Sequence, residues 1–226
     1  MSFFEASKKA DDIKQGGSNH ITSSGLYPVT ILAPIVNVSA GGSTSIDLYL
    51  EHLGQKQVIF GNLRISNNDG TPNKIGSKIF NQLMIIANLD AVADPVEHQL
   101  PIGKKEAPKA AAVLEDLADV SVYLRIQMEY GVHNGNITEK KVIKGFFRGS
   151  DKATAEEIVK GEEIGKGFKR EQQYVNNVTY KDGTTPEQIA VWIAAQRPKG
   201  TAGNSAPAGS TKAPSFGKKR FGQDDG

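Results

Sequence analysis

Ser45-Ile46-Asp47-Leu48-Tyr49-Leu50-Glu51 alternates apolar and polar residues at a strict period of two. That is the pattern of a strand with one face buried and the other turned away. Ile46, Leu48 and Leu50 are expected to face the core, with Ser45, Asp47, Tyr49 and Glu51 on the opposite side. Upstream, Tyr27 to Val38 is also β-rich, and Pro28 and Pro34 restrict it to an edge, a bend or a bulge. Gly41-Gly42 supplies the turn between the two. Downstream, Gln57 to Ile65 forms a less regular run. Gln57, Ile59, Gly61, Leu63 and Ile65 make one set, Lys56, Val58, Phe60, Asn62 and Arg64 the other, and Asn67-Asn68-Asp69-Gly70 ends it with turn chemistry.

The period then changes. Ile75, Ile79, Leu83 and Ile86 recur at three- and four-residue spacing, as an amphipathic helix requires. Residues 89–118, with Pro95, Pro101 and Pro108, read as a weakly patterned connection, and Gly103-Lys104-Lys105 as a surface turn. Two further strands are expected at Val120 to Tyr130 and Ile137 to Arg148, joined at Asn134-Gly135, a strong hairpin signal. Thr154-Ala155-Glu156-Glu157 and Thr185-Pro186-Glu187-Gln188 are capping boxes that open two later helices. Ile189, Trp192 and Ile193 give the last of these an apolar stripe. Three strands, a helix and two strands is the element order of an oligonucleotide-binding (OB) barrel. The expected fold class is therefore α+β and β-rich: an OB-like antiparallel barrel or sheet with added helices and a disordered C-terminal tail.

Composition divides the chain into four parts. Residues 1–17 read as a short helix carrying Phe3, Phe4, Lys8 and Lys9, suited to packing on its own domain or a sister subunit. Residues 18–150 form the β-rich core, and 151–196 an α-rich extension packed on it. Residues 197–226, rich in Gly, Pro and small polar residues, cannot bury enough apolar area to offset their ordering entropy, and read as a flexible tail. The tail carries Lys218-Lys219-Arg220 before Asp224-Asp225. With 27 Lys and Arg against 25 Asp and Glu, any affinity for nucleic acid must come from local patches. The absence of cysteine removes disulfides, thiolate metal sites and cysteine nucleophiles. No stretch approaches the roughly 20 apolar residues needed to cross a bilayer. The charged start lacks a leader's apolar region, so a soluble protein is expected.

The faces turned away from the core carry the functional signal. They are Tyr49 in the first strand; Lys56, Phe60 and Arg64 in the next; Tyr123, Arg125 and Gln127 in the fourth; Lys140, Lys144, Phe146 and Arg148 in the fifth. Each outward set holds an aromatic, and three of the four pair it with Arg or Lys. Single-stranded nucleic acid needs this mixture, since bases stack on rings for about 1–3 kcal/mol each while cations follow the phosphates. Tyr49, Phe60, Tyr123 and Phe146 are the candidate stacking residues, and Arg64, Arg125, Lys140, Lys144 and Arg148 the candidate phosphate contacts. Lys166, Phe168, Lys169, Arg170, Tyr174, Tyr180 and Lys181 form a second cationic and aromatic cluster. It is read either as a clamp at the barrel rim or as a linker held on the core by its rings. The same outward aromatics also suit strand propensity alone or contacts between subunits.

Catalytic signatures are missing. His20, His52, His98 and His133 never fall at metal-binding spacing, and no phosphate loop, G-x-S-x-G elbow or H-E-x-x-H motif occurs. No enzyme, metal or cofactor is expected.

The segment Gly145-Phe146-Phe147-Arg148-Gly149-Ser150-Asp151-Lys152-Ala153-Thr154-Ala155-Glu156-Glu157, the barrel-like order before it and the Gly/Pro/Ser tail ending near Asp224-Asp225 resemble the single-stranded DNA-binding proteins of small virulent tailed bacteriophages. The likeness spans most of residues 20–196 in general character. It implies a core that binds DNA and an acidic tail that contacts replication partners such as the phage DNA polymerase; homo-oligomers and residence in the host cytoplasm are expected besides. The tail departs from that pattern, being net cationic before its tip and lacking a terminal aromatic. The chain resembles equally a related phage class that binds single-stranded DNA and assists the phage RNA polymerase. Sequence-tolerant single-strand binding for replication or recombination is the first expectation. A transcription cofactor and a structural or assembly protein are the alternatives.

Overall fold

The computed structural model describes residues 19–196, so the expected N-terminal helix and the tail lie outside the described residues. The strands are β1 (Gly25–Val38), β2 (Thr44–His52), β3 (Gln55–Arg64), β4 (Val96–Leu100), β5 (Lys109–Val113), β6 (Val120–His133), β7 (Asn136–Arg148) and β8 (Thr179–Tyr180). The helices are α1 (Lys74–Ile86), α2 (Ala155–Lys160), α3 (Lys166–Gln172) and α4 (Pro186–Gln196). All eight strands join one sheet, antiparallel except for β8, which runs parallel to β6.

β1 organises the sheet because it is long enough to serve three partners. Its first half pairs with β6 from Gly25 to Ile31, and its second half lies between β2 and β5. The β6–β7 hairpin turns at Asn134 and Gly135, with φ of 51° and 75°. Two consecutive left-handed residues are what a two-residue turn needs, and Asn-Gly supplies them at least strain. α1 starts at Asn73, whose Oδ1 accepts from the Gly76 amide at 3.0 Å. It packs on β3 and β7, two strands that approach one another without a hydrogen-bonded ladder. A Cβ on Gly76 would stand 1.7 Å from the Arg64 carbonyl oxygen, so only glycine lets the helix lie this close to β3.

The expected inward residues make the main core. Leu48, Leu50, Ile59, Leu63, Leu124 and Ile126 are fully buried, joined by Ile79, Leu83 and Ile86 of α1. Each such side chain contributes about 1.5–3 kcal/mol. Both capping boxes form. Thr154 and Glu157 exchange bonds of 2.8 and 3.1 Å, Thr185 and Gln188 bonds of 3.1 and 3.3 Å.

Residues 89–118 are not the plain connection expected. They hold the β4–β5 hairpin and two short 3-10 turns, at 104–106 and 115–117. This hairpin builds a second small core, where Ala111 and Val113 meet Ala33, Ile35 and Tyr49. β1 reaches both cores through a bulge. Ile31 pairs with Leu50 and Ala33 with Tyr49, so Leu32 is an extra residue and the strand's inward and outward sets exchange after it.

Candidate nucleic-acid interface

One open groove of about 440 Å³ brings together aromatic rings, two ammonium groups and the β4–β5 connection. Tyr49 of β2, Lys56, Val58 and Phe60 of β3 and Lys141 of β7 line it, with Pro101, Ile102, Gly103 and Glu106 on the connection's side. Phe60 is 65% exposed. It is placed there by a bulge of two extra residues. Leu48 faces Ile59 and Ile46 faces Leu63, so three residues of β3 stand opposite the single residue Asp47. Two extra residues preserve the alternation, which is why Ile59 and Leu63 both remain inward.

Tyr49 does not offer an open face as expected. It is 6% exposed, because the β4–β5 hairpin packs over it. Lys56 and Arg64 are exposed, and the Arg64 guanidinium donates to Ser43 Oγ at 3.2 Å.

The β6–β7 side has a similar composition and a different outcome. Phe146 is 2% exposed and lies in the main core, against the expectation that it faces outward. The cause is a single-residue bulge. Arg125 pairs with Gly145 and Ile126 with Ile143, leaving Lys144 unpaired and inverting the alternation beyond it. Phe147 thus takes the outer side, where the extension covers it. The Phe168 ring meets Tyr123 and Phe147 edge-to-face at centroid distances of 5.2 Å each. Lys152 Nζ lies 5.5 Å from the Tyr123 centroid and 5.0 Å from that of Phe168.

Arg125, expected on phosphates, is 2% exposed. Its guanidinium donates to the carbonyls of Gly25, Ile126 and Tyr174, with the Glu171 carboxylate 3.7 Å from Nε. Burial lowers its pKa, opposed by the charge of Glu171. It ties the extension to the sheet. Gln127 likewise donates to Thr179 Oγ1 at 2.8 Å. Arg148 makes a bidentate pair with Asp151 at 2.9 and 2.6 Å, which raises the arginine's pKa and lowers the carboxyl's.

The remaining candidates stay exposed without converging on one groove. Lys140, Lys144, Lys169, Arg170 and Tyr174 are all at the surface. Lys144 and Arg170 share a cleft of about 130 Å³ with the Glu156 and Glu171 carboxylates, which offset their charge. Phe168 and the Tyr180 ring, stacked on Tyr130 at 6.3 Å, hold the extension against the sheet as a linker anchored by its rings. Lys166 pairs with Glu163 at 2.9 Å and Lys181 with Glu129 at 2.7 Å.

Glu157 ties the start of α2 to the start of α3 within the extension. It is 5% exposed, and accepts from the amides of Thr154, Gly165 and Gly167 at 2.8, 3.2 and 2.7 Å. Burial raises its pKa, but these amide bonds outweigh that and hold it below the ordinary glutamate value.

Lys141, Ile102 and Glu106 were not among the sequence candidates. Lys140-Lys141 could have flagged the first; nothing in residues 101–106 announced that this loop crosses β3. Among the described residues no set of three His, Asp or Glu side chains could hold a metal ion, and no helix is long and apolar enough to cross a membrane. Neither a protein-family model nor a curated protein sequence matches the chain.

Proposed function

We propose that the protein binds single-stranded DNA without turning it over, laying the strand in the groove that crosses β3. The observation that carries this reading is Phe60: a phenylalanine 65% exposed on a strand, sharing one groove with Lys56 and Lys141. The exposed part of such a ring forfeits burial energy at about 25 cal/mol per Å², which a stacked base recovers whatever its identity. The ammonium groups supply the phosphate contacts.

The strand plan supports an OB-like reading. A β1–β2–β3 meander leads into α1, and the β6–β7 hairpin returns to pair with β1. The β4–β5 hairpin is then an insertion ahead of the fourth barrel strand. Ligands of such barrels lie on the face of strands two and three, where this groove is found. The resemblance to phage single-strand binders favours DNA as the polymer, and protection of exposed strands in phage replication and recombination as the role.

A labelled oligonucleotide titrated beside a duplex of equal length, at several salt concentrations, tests the proposal. The single strand should bind more tightly. If these two groups neutralise about two phosphates, log affinity should fall against log salt with a slope near −1.4, at roughly −0.7 per contact. Phe60→Ala should cost about 1–3 kcal/mol of binding. Salt-independent binding, or affinity unmoved by Phe60→Ala, overturns the reading.

A further inference from the structure

A carboxylate is an unexpected wall for a groove that holds a polyanion, yet Glu106 lines this one beside Phe60, Lys56 and Lys141. The backbone of the turn that carries it is closely held. The Gly103 amide donates to the Ala107 carbonyl and the Glu106 amide to the Gly103 carbonyl, both at 3.0 Å. Lys105 and Glu106 are both held in the left-handed region, at φ of 54° and 59°. Such backbone is costly for side chains other than glycine and persists only where the surroundings impose it. A Cβ on Gly103 would stand 2.7 Å from the Ala107 oxygen, so the turn closes only with glycine there.

An ionised carboxylate only accepts hydrogen bonds. Phosphates repel it, and thymine's one donor, N3–H, lies between two carbonyl oxygens that repel it as well. Cytosine, adenine and guanine each carry an exocyclic amino group that can donate to it, as glutamate does to cytosine N4 in duplex readout. A volume of about 440 Å³ lies within the range of pockets that take a nucleotide-sized group.

We infer that this groove is a base-selective subsite. Phe60 stacks one base, Lys56 and Lys141 hold the flanking phosphates, and Glu106 accepts a hydrogen bond from the base's amino group. Amino-bearing bases are then favoured over thymine, with cytosine against thymine the cleanest contrast because the rings are the same size. The inference rests on the single-strand reading above and adds discrimination to it.

The experiment compares oligodeoxycytidine and oligodeoxythymidine of equal length at pH 8, where cytosine is neutral, on wild-type protein, Glu106→Gln and Phe60→Ala. Wild type should bind the cytidine polymer about tenfold more tightly, the worth of one hydrogen bond to a charged group. Glu106→Gln should bring that ratio close to one, largely by raising thymidine affinity, since the amide donates as well as accepts. Equal wild-type affinities, or a ratio that survives Glu106→Gln, overturn the inference while leaving strand binding intact. Failure of both polymers to bind, or indifference of both to Phe60→Ala, removes the single-strand reading and this inference with it.

Discussion

The β2–β3 side and the β6–β7 side present the same kinds of residue to the outside of the sheet, but the helical extension covers much of the second. On β3, Phe60 and Lys56 border a groove. On β6 and β7, Tyr123, Arg125 and Phe147 carry equivalent chemistry but meet Phe168, Glu171 and the Tyr174 carbonyl of the extension. Alternation assigns a side chain to a face; it does not say whether that face meets water. What covers a face comes from distant sequence, here residues 151–196.

Two phenylalanines give this comparison its largest expected effect. Phe146→Ala should cost about 3–5 kcal/mol of stability, because it opens a cavity in the main core. Phe60→Ala should change stability by no more than about 0.5 kcal/mol, its loss appearing in DNA affinity instead. Chemical denaturation of both variants separates the two. A destabilised Phe60→Ala would mean that the ring is part of the fold and not of a ligand site.

These residues also show where sequence reading stops. The strands at 45–51 and 120–130 were legible because one face of each is uniformly buried and no bulge interrupts their apolar sets. β7 was not, because the extra residue Lys144 inverts the register in the middle of the strand. Gly145 beside it was the available sign, since a glycine within a strand pattern often marks a bulge. In β3 the bulge is two residues longer than its partner, so the period survived and Phe60 was placed on the correct side. The β4–β5 hairpin was missed because Lys109-Ala110-Ala111-Ala112-Val113 has little β propensity and follows Pro108. With it went the burial of Tyr49 and the existence of the groove's far wall.

The sealed side should also carry an acid dependence that the open side lacks. The folded-state pKa of Glu157 lies below its ordinary value of 4.5. Its contribution is therefore complete above that value and is lost as pH falls through the lower folded one. Glu157→Gln should destabilise the protein at neutral pH by about 1.5–3 kcal/mol, the worth of hydrogen bonds to a charged group. The deficit relative to wild type should shrink in acid as the wild-type carboxylate is protonated. Thermal denaturation of both proteins between pH 7 and pH 3 reads the difference. A deficit independent of pH would assign the effect to packing.

The smallest effect distinguishes cations that merely sit at the surface from those that meet the strand. Lys56 lines the groove, whereas Lys169 lies exposed on α3, on the covered side. A lysine that neutralises a phosphate on binding releases a counterion and adds about 0.7 to the magnitude of the salt slope. Lys56→Ala should therefore flatten the slope by about 0.7 and weaken binding by a similar factor for any sequence. Lys169→Ala should leave the slope unchanged, because a charge farther from the strand than a Debye length, about 8–10 Å at ordinary salt, is largely screened. Equal changes from both would place the strand on the two sides alike, and the extension would then be part of the DNA path and not merely the cover over β6 and β7.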